Sequence, residues 1–421
     1  MMKRICDLPP ELVGAKILSK VPITSLGQVR STCKLWDRLT RDWIVGKEAA
    51  ARQQQHQFLG FITVDFKVCS LRFRKEEEDV DLSIKEVGLL NQFEISKVFH
   101  CDGLLVCVLK EDRSKLLAWN PYLGQTRSIS PRPGDDFNEL DTYLFGYDMN
   151  RNHKMLRFYS EFEMYEFSSN SWRVLEGVTL PDSLILKFGG HRYVSLKGNA
   201  YFLAQEITTD DVLRDVILRF DFTTETFGLE PLLVPFLALC DEAVTLSSVR
   251  DQKLALLHQK GQRMIEVLEI WISSKIDQPN AAAVTWSKFM NVNMRPLIGD
   301  RYVRFHDEFA SFFIIGDDEE EEQEKVAVVF DMEGYEFCFE LVRTDHYHTA
   351  FIIGDGDEGY YKTMNLGQAP NLWKPDPLHR GGYVPSDYRP QWYDPPLVSS
   401  SSYLPSLVQL NNQPRKRKER D

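Results

Sequence analysis

His346 and His348 stand two residues apart and would offer two imidazoles from one side of a strand. Two nitrogen ligands fall short of a zinc site, and no third ligand is evident beside them, so they read as surface or packing histidines. His100-Cys101-Asp102 sets a thiol between a base and an acid on paper. Neighbours on a strand point to opposite faces, so Cys101 cannot reach His100 there; the string reads as a strand turning at Asp102-Gly103. The acidic stretches 316–322 (GDDEEEE) and 354–359 (GDGDEG) offer carboxylates to a hard cation. The second lacks the ligand spacing and distal Glu of an EF-hand loop, and both read as solvated turns. No phosphate-binding G-x-x-x-x-G-K-[ST] loop and no G-x-S-x-G elbow occurs. No catalytic, cofactor-binding or metal-binding residue is therefore assigned, and no cofactor is expected.

The elements that would carry such residues fall into two textures. Residues 8–39 are apolar at helical spacing. Asp7 can cap a helix opened by Pro9 and Pro10. Leu12, Ala15, Ile17, Leu18 and Val21 give it a broad apolar face, and Pro22 ends it. Leu26, Val29, Cys33, Trp36 and Leu39 then follow at steps of three and four, one face of a further helix. A segment this short cannot bury all of its own apolar positions.

From Phe58 onward the chain reads as short strands separated by Gly, Asn-Pro or charged turns. Similar units recur at 98–129, 144–175, 194–229, 243–289 and 308–342, and 351–366 begins another that looks incomplete. A period of roughly 35–50 residues with about four strands per unit fits propeller blades. The spacing predicts six blades, with seven the alternative. The runs at 58–73 and 403–410 are the natural complement of the incomplete unit. Trp119, Trp172, Phe227, Trp271 and Trp286 recur near one place in the units and read as packing between blades. If the blades close on themselves, the apolar face of residues 8–39 is left for a separate partner.

The totals narrow the function classes. A formal net charge of -12 argues against a nucleic-acid-binding surface over the whole chain. Residues 1–50 run the other way, with nine Lys/Arg against five Asp/Glu. The seven cysteines include no C-x-x-C pair, so neither a disulfide framework nor a zinc ribbon is expected, and a reducing compartment follows. No run reaches the roughly 20 apolar residues of a membrane helix, and the N-terminus lacks the apolar core of a signal peptide. Nine of the 20 prolines follow residue 369, which makes 368–395 an extended, Pro-rich stretch. The end, PRKRKERD, reads equally as a nuclear import signal or a solvated tail.

Leu8, Pro9, Leu12, Ile17, Leu18, Val21, Pro22, Ser25, Leu26, Val29, Arg30, Cys33, Lys34, Trp36 and Leu39 stand in the order and spacing of an F-box, and residues 8–39 resemble that family. The strings SIKEVGLLNQFEISKVFHCDGLLVCV, AWNPYLGQTRSI, FGYDMNRNHKMLRFY and SYLPSLVQL resemble the F-box-associated, kelch-like domain of plant F-box proteins. The resemblance implies a small all-α F-box module at 1–47, a linker at 48–57 and an all-β propeller at 58–367. The insertion 368–395, a closing strand segment at 396–410 and a basic tail at 411–421 complete this division. It further implies a non-catalytic, substrate-recognition subunit of an SCF-type cullin ubiquitin ligase, in cytoplasm or nucleus. A Skp-type adaptor, and through it a cullin, would bind Leu8, Pro9, Leu12, Ile17, Leu18, Pro22, Leu26 and Trp36, with Lys20, Arg30 and Lys34 facing an acidic adaptor. The propeller would hold a target protein that the sequence does not name; nucleic acid and membrane are not expected partners. The alternative is an interaction scaffold that does not direct degradation.

Overall fold

Antiparallel ladders begin at Gln57 and recur to Ala369 in the computed structural model. It describes Leu12, Val13, Ile17, Leu18, Val21, Val29, Thr32 and Lys34–Ile44 of the N-terminal segment, most of 57–369 outside several loops, the pieces 373–375 and 383–385, and 406–410. The main ladders form six sheets in chain order. Sheet 1 holds Gln57–Val64, Lys67–Lys75 and Val80–Glu86. Sheet 2 holds Ile95–Cys101, Leu104–Leu109, Leu116–Asn120 and Gln125–Ile129. Sheet 3 holds Thr142–Tyr147, His153–Phe158, Phe162–Glu166 and Ser171–Val174. Sheet 4 is built on Asn199–Ile207 and Leu213–Asp221, flanked by the short strands Leu184–Leu186, Tyr193–Leu196, Thr226–Phe227 and Leu232–Leu233. Sheet 5 holds Ala243–Val249, Lys253–Lys260, Val267–Ser273 and Trp286–Asn293. Sheet 6 holds Ser311–Ile315, Val326–Glu333, His346–Gly354 and Tyr360–Ala369.

The turns explain the tight meanders. Asp102 and Gly103 have φ of 50° and 73°, and Lys197 and Gly198 have 49° and 85°. Two successive positive φ values make the hairpin turn whose twist matches that of the flanking strands. The string at 100–102 is thus a strand running into its turn. Burial lowers the His100 pKa to about 4, and its Nε2 accepts a hydrogen bond from the Gly103 N–H at 3.2 Å.

Six apolar clusters lie between successive sheets and close the ring. Leu105 and Trp119 of sheet 2 share one with Phe61 and Val68 of sheet 1. Val106 and Ala118 meet Phe145 and Tyr165 between sheets 2 and 3. Leu156 and Met164 meet Phe202 and Leu218 between sheets 3 and 4. Leu203 and Ile217 meet Leu246 and Leu256 between sheets 4 and 5. Leu257 and Ile270 meet Phe312 and Val329 between sheets 5 and 6. Ile62, Leu71 and Leu82 of sheet 1 meet Phe313, Val328 and Ile352 of sheet 6, and the circle is complete. Inner strands such as Leu104–Leu109, His153–Phe158 and Ala243–Val249 are buried on both faces because each sheet is sandwiched between two others, whereas outer strands such as Ser171–Val174 are largely exposed. The protein is a six-bladed β-propeller.

The count of six holds, but two of the units divide differently from the sequence expectation. The units at 308–342 and 351–366 are one sheet, because His346–Gly354 pairs with Val326–Glu333 on one side and Tyr360–Ala369 on the other. The N-terminal runs do not complete that sheet; with Val80–Glu86 they make sheet 1 on their own. Inside the Pro-rich stretch, Trp373–Pro375 pairs with Tyr383–Pro385 in a short separate ladder, with a proline at the end of each strand where a missing N–H costs least.

Side chains, not a ladder, hold residues 406–410. Asn120 is buried at the end of the third strand of sheet 2, and its Nδ2 donates to the carbonyls of Ser406 and Val408, both at 2.9 Å. Its Oδ1 accepts from the Leu123 N–H at 3.0 Å. Gln125 accepts from the Leu410 N–H at 3.0 Å and donates to the Gln409 side chain at 2.9 Å. Leu410 and Val408 then enter the cluster between sheets 2 and 3. Asn120→Ala strips the donors from two carbonyls and the acceptor from one N–H. Thermal unfolding should show a loss of at least about 2 kcal/mol, and removing residues 406–421 in that background should cost less than in the parent chain.

Candidate functional site

The N-terminal segment offers an exposed side and a buried side. Helix α1, Lys34–Ile44, carries Asp37 in its first turn, and the Thr40 hydroxyl donates back to the Trp36 carbonyl. A carboxylate near the helix start favours the dipole there. Leu12 stands 48% exposed, whereas Leu18 is fully enclosed, and Ile17 and Trp36 are half-buried. Leu8, Pro9, Pro22 and Leu26 lie outside the described residues.

The buried side differs from the expectation of a self-contained propeller. Val13, Leu18 and Leu39 belong to the same apolar cluster as Phe61, Trp119 and Tyr122 of the interface between sheets 1 and 2. Val21, Val29, Leu35 and Trp36 pack at its margin. The module therefore uses part of its apolar surface on the propeller, which anchors it, and Leu18 in particular serves that internal contact. A six-sheet ring could not advertise this in sequence, because the same Leu and Val types suit an internal and an external partner equally.

The recurrent aromatics tie blades together. Trp172 of sheet 3 donates its Nε1–H to the Ser130 carbonyl just after sheet 2, at 2.8 Å. Trp286 of sheet 5 donates likewise to the Leu233 carbonyl of sheet 4, at 3.0 Å. Trp119 and Phe227 are buried in inter-sheet clusters. Each indole so bonded sits on the last strand of its sheet and reaches the sheet before it.

Charged side chains inside the ring are paired across strands and blades. Arg157 lies between Asp141, at 2.7 Å, and Glu163, at 3.2 Å, and all three side chains are more than 90% buried. Arg132 adds a second cation to Glu163 at 3.1 Å. Lys154 of sheet 3 meets Glu225 in a turn of sheet 4 at 2.8 Å, and Arg173 bonds the same carboxylate. In sheet 5, burial opposes the charge of Glu269, but hydrogen bonds from Lys288, Lys260 and Trp271 prevail and hold its pKa at about 2. Burial pushes the His258 pKa down against the pull of Glu242, 2.8 Å away, and the ring stacks on Phe236 at 4.0 Å between centroids. These sets join structural elements, and none brings a nucleophile to a base. Among the described residues no group of three His, Cys, Asp or Glu side chains is placed to hold a metal ion. His346 and His348 share one strand; the acidic stretches 316–322 and 355–359 lie outside the described residues. No helix among the described residues is long and apolar enough to cross a membrane.

Comparison with known proteins agrees with this architecture. Residues 59–410 match the family model described as F-box associated beta propeller domain. An F-box/kelch-repeat protein of Arabidopsis thaliana is 50% identical over 466 residues, with both chains covered in full. A putative F-box protein of the same plant is 46% identical over 97% of this chain and all of its own. A further Arabidopsis F-box/kelch-repeat protein is 42% identical over 99% of this chain and all of its own.

Proposed function

Because the chain belongs to the F-box-associated β-propeller family, we propose that it is the substrate-recognition subunit of an SCF-type cullin ubiquitin ligase. The N-terminal segment binds a Skp-type adaptor, which connects it to the cullin, and the propeller holds a target protein. The chain itself catalyses nothing. It raises the local concentration of the target beside a ubiquitin-charged enzyme, turning a bimolecular encounter into an effectively intramolecular one. The observation that carries this reading is a module whose buried side is fixed to sheets 1 and 2 while Leu12 stays open to solvent. A rigid attachment of that kind sets the orientation of the target relative to the adaptor. The protein works in the cytoplasm or the nucleus, where buried thiols such as Cys69, Cys101 and Cys107 stay reduced.

The test is adaptor co-purification. Replacing Leu8 and Pro9 together by Ala should reduce recovery of a Skp-type adaptor at least tenfold while the unfolding midpoint of the propeller stays unchanged. Undiminished recovery would remove the adaptor assignment. Ubiquitin transfer to a bound protein in a reconstituted complex then separates a ligase subunit from a scaffold.

A further inference from the structure

His153 opens the second strand of sheet 3, where the turn before it meets the turn Asp102-Gly103 of sheet 2. It is 3% exposed, and its buried Nε2 has no hydrogen-bond partner among the described residues. Asp102 Oδ2 stands 3.6 Å away across the seam, too far for a hydrogen bond. Aromatic rings enclose the imidazole elsewhere: Tyr147 at 5.6 Å, Phe145 at 5.8 Å and Phe167 at 6.4 Å between centroids.

The same seam seats the end of the chain. Phe145, Tyr147 and Phe167 belong to the apolar cluster between sheets 2 and 3 that receives Val408 and Leu410. Hydrogen bonds make a second link. The Phe167 N–H donates to the His153 carbonyl at 3.1 Å, and the Phe167 carbonyl accepts from Arg127 at 3.0 Å. Arg127 shares a strand with Gln125, which accepts from the Leu410 N–H.

The surrounding charges decide what a proton on His153 does. Asp102 already pairs with Arg151 at 3.3 Å, and that guanidinium lies over Tyr147 at 4.4 Å. Arg127, 5.0 Å over Phe167, is a second cation on the side of sheet 2. Asp148, in the turn before His153, accepts from the Asn150 and Asn152 amides at 2.9 Å and faces Lys154 at 3.6 Å. An imidazolium here is enclosed by rings, and the carboxylates near it are already engaged. Burial and then Arg151 push the His153 pKa down to about 4, against the pull of Asp148.

We propose that His153 is a proton-operated latch: neutral, it lets sheets 2 and 3 close on residues 406–410, and on taking a proton it loosens that seam and releases them with the basic end of the chain. A histidine held below its ordinary pKa of 6.5 supports the closed seam above that pH, and the support is lost as pH falls toward about 4. Asp102 works the other way. Burial raises its carboxyl pKa against the pull of Arg151, so the closed seam takes up that proton more readily and part of the loss is offset.

Hydrogen exchange of the 406–410 amides in the full-length chain, corrected for intrinsic exchange rates, tests the latch. Between pH 7 and pH 5 the opening equilibrium should rise about twentyfold in Asp102→Asn, where the offset is gone, and at least about fivefold in the parent. His153→Phe and His153→Gln do not titrate, and each should hold the change below about twofold, with native spectra at pH 7 showing that the ring is folded. A parent rise below fivefold or a larger rise kept in both His153 variants would overturn the proposal. Protection that grows on acidification would overturn it too, since an imidazolium would then be drawing Asp102 in and tightening the seam.

Discussion

Arg157→Met lowers the stability of the propeller by roughly 3–5 kcal/mol, read from the shift of the urea or thermal midpoint. Arg157 and Glu163 face each other across the second and third strands of sheet 3, and Asp141 lies just before the first strand. All three are out of water. Removing the cation leaves Asp141 without that partner and Glu163 with Arg132 alone, and buried carboxylates in that state either carry their desolvation cost or take up protons. The size of the loss measures this uncompensated charge more than the worth of the intact set. The triple change Arg157→Met/Asp141→Leu/Glu163→Leu should therefore recover most of the deficit. A single change that costs less than about 1 kcal/mol would mean that water reaches the site.

Gly146→Ala should cost about 3 kcal/mol or more, at the upper end for overpacking. Gly146 lies in the first strand of sheet 3, against the turn Lys197-Gly198 of sheet 4. A Cβ at residue 146 would overlap the Gly198 carbonyl oxygen and the ring of Phe222. Phe222 is fully buried, and the carbonyl is already held by the Tyr147 N–H at 3.0 Å, so neither can withdraw without disturbing the interface. A Cβ on Gly198 would in turn stand 2.6 Å from the Tyr147 ring. Gly88→Ala is the matched control, because a Cβ there meets nothing within 4 Å; its midpoint should stay within the equivalent of about 0.5 kcal/mol.

Much of the fold was legible because blade chemistry is local. The units at 98–129, 144–175, 194–229 and 243–289 fall on sheets 2 to 5, since each carries its own turns, such as Asp102-Gly103 and the Asn-Pro turn after Asn120. Sheet 6 was split because the sequence stays apolar past Glu333 to Val342, which closes one unit there and leaves His346–Gly354 to open the next. Sheet 1 was left short because Val80–Glu86 directly follows the charge run 75–79 and was passed over with it, although Val80, Leu82 and Ile84 alternate with Asp81, Ser83 and Lys85. The triad at Arg157 was invisible for a different reason. Its residues are 6 and 16 apart, and only the register of sheet 3 brings them together. The residues expected to face an adaptor came from motif spacing, which does not reveal that Leu18 turns inward to sheets 1 and 2.

Sheet 1 meets sheet 6 to close the circle, and this contact has a consequence in time. More than two hundred residues separate Glu86 from Ser311. At the usual pace of synthesis, about 5–20 residues per second, the first sheet waits on the order of ten seconds or more for the strands that cover Ile62, Leu71 and Leu82. Bringing such distant pieces together is also the slowest kind of folding step, because the chain entropy is lost before the contact returns anything. The nascent protein thus spends its early life as an open arc with one greasy end. Its yield in a cell depends on what shields that end before the arc becomes a ring.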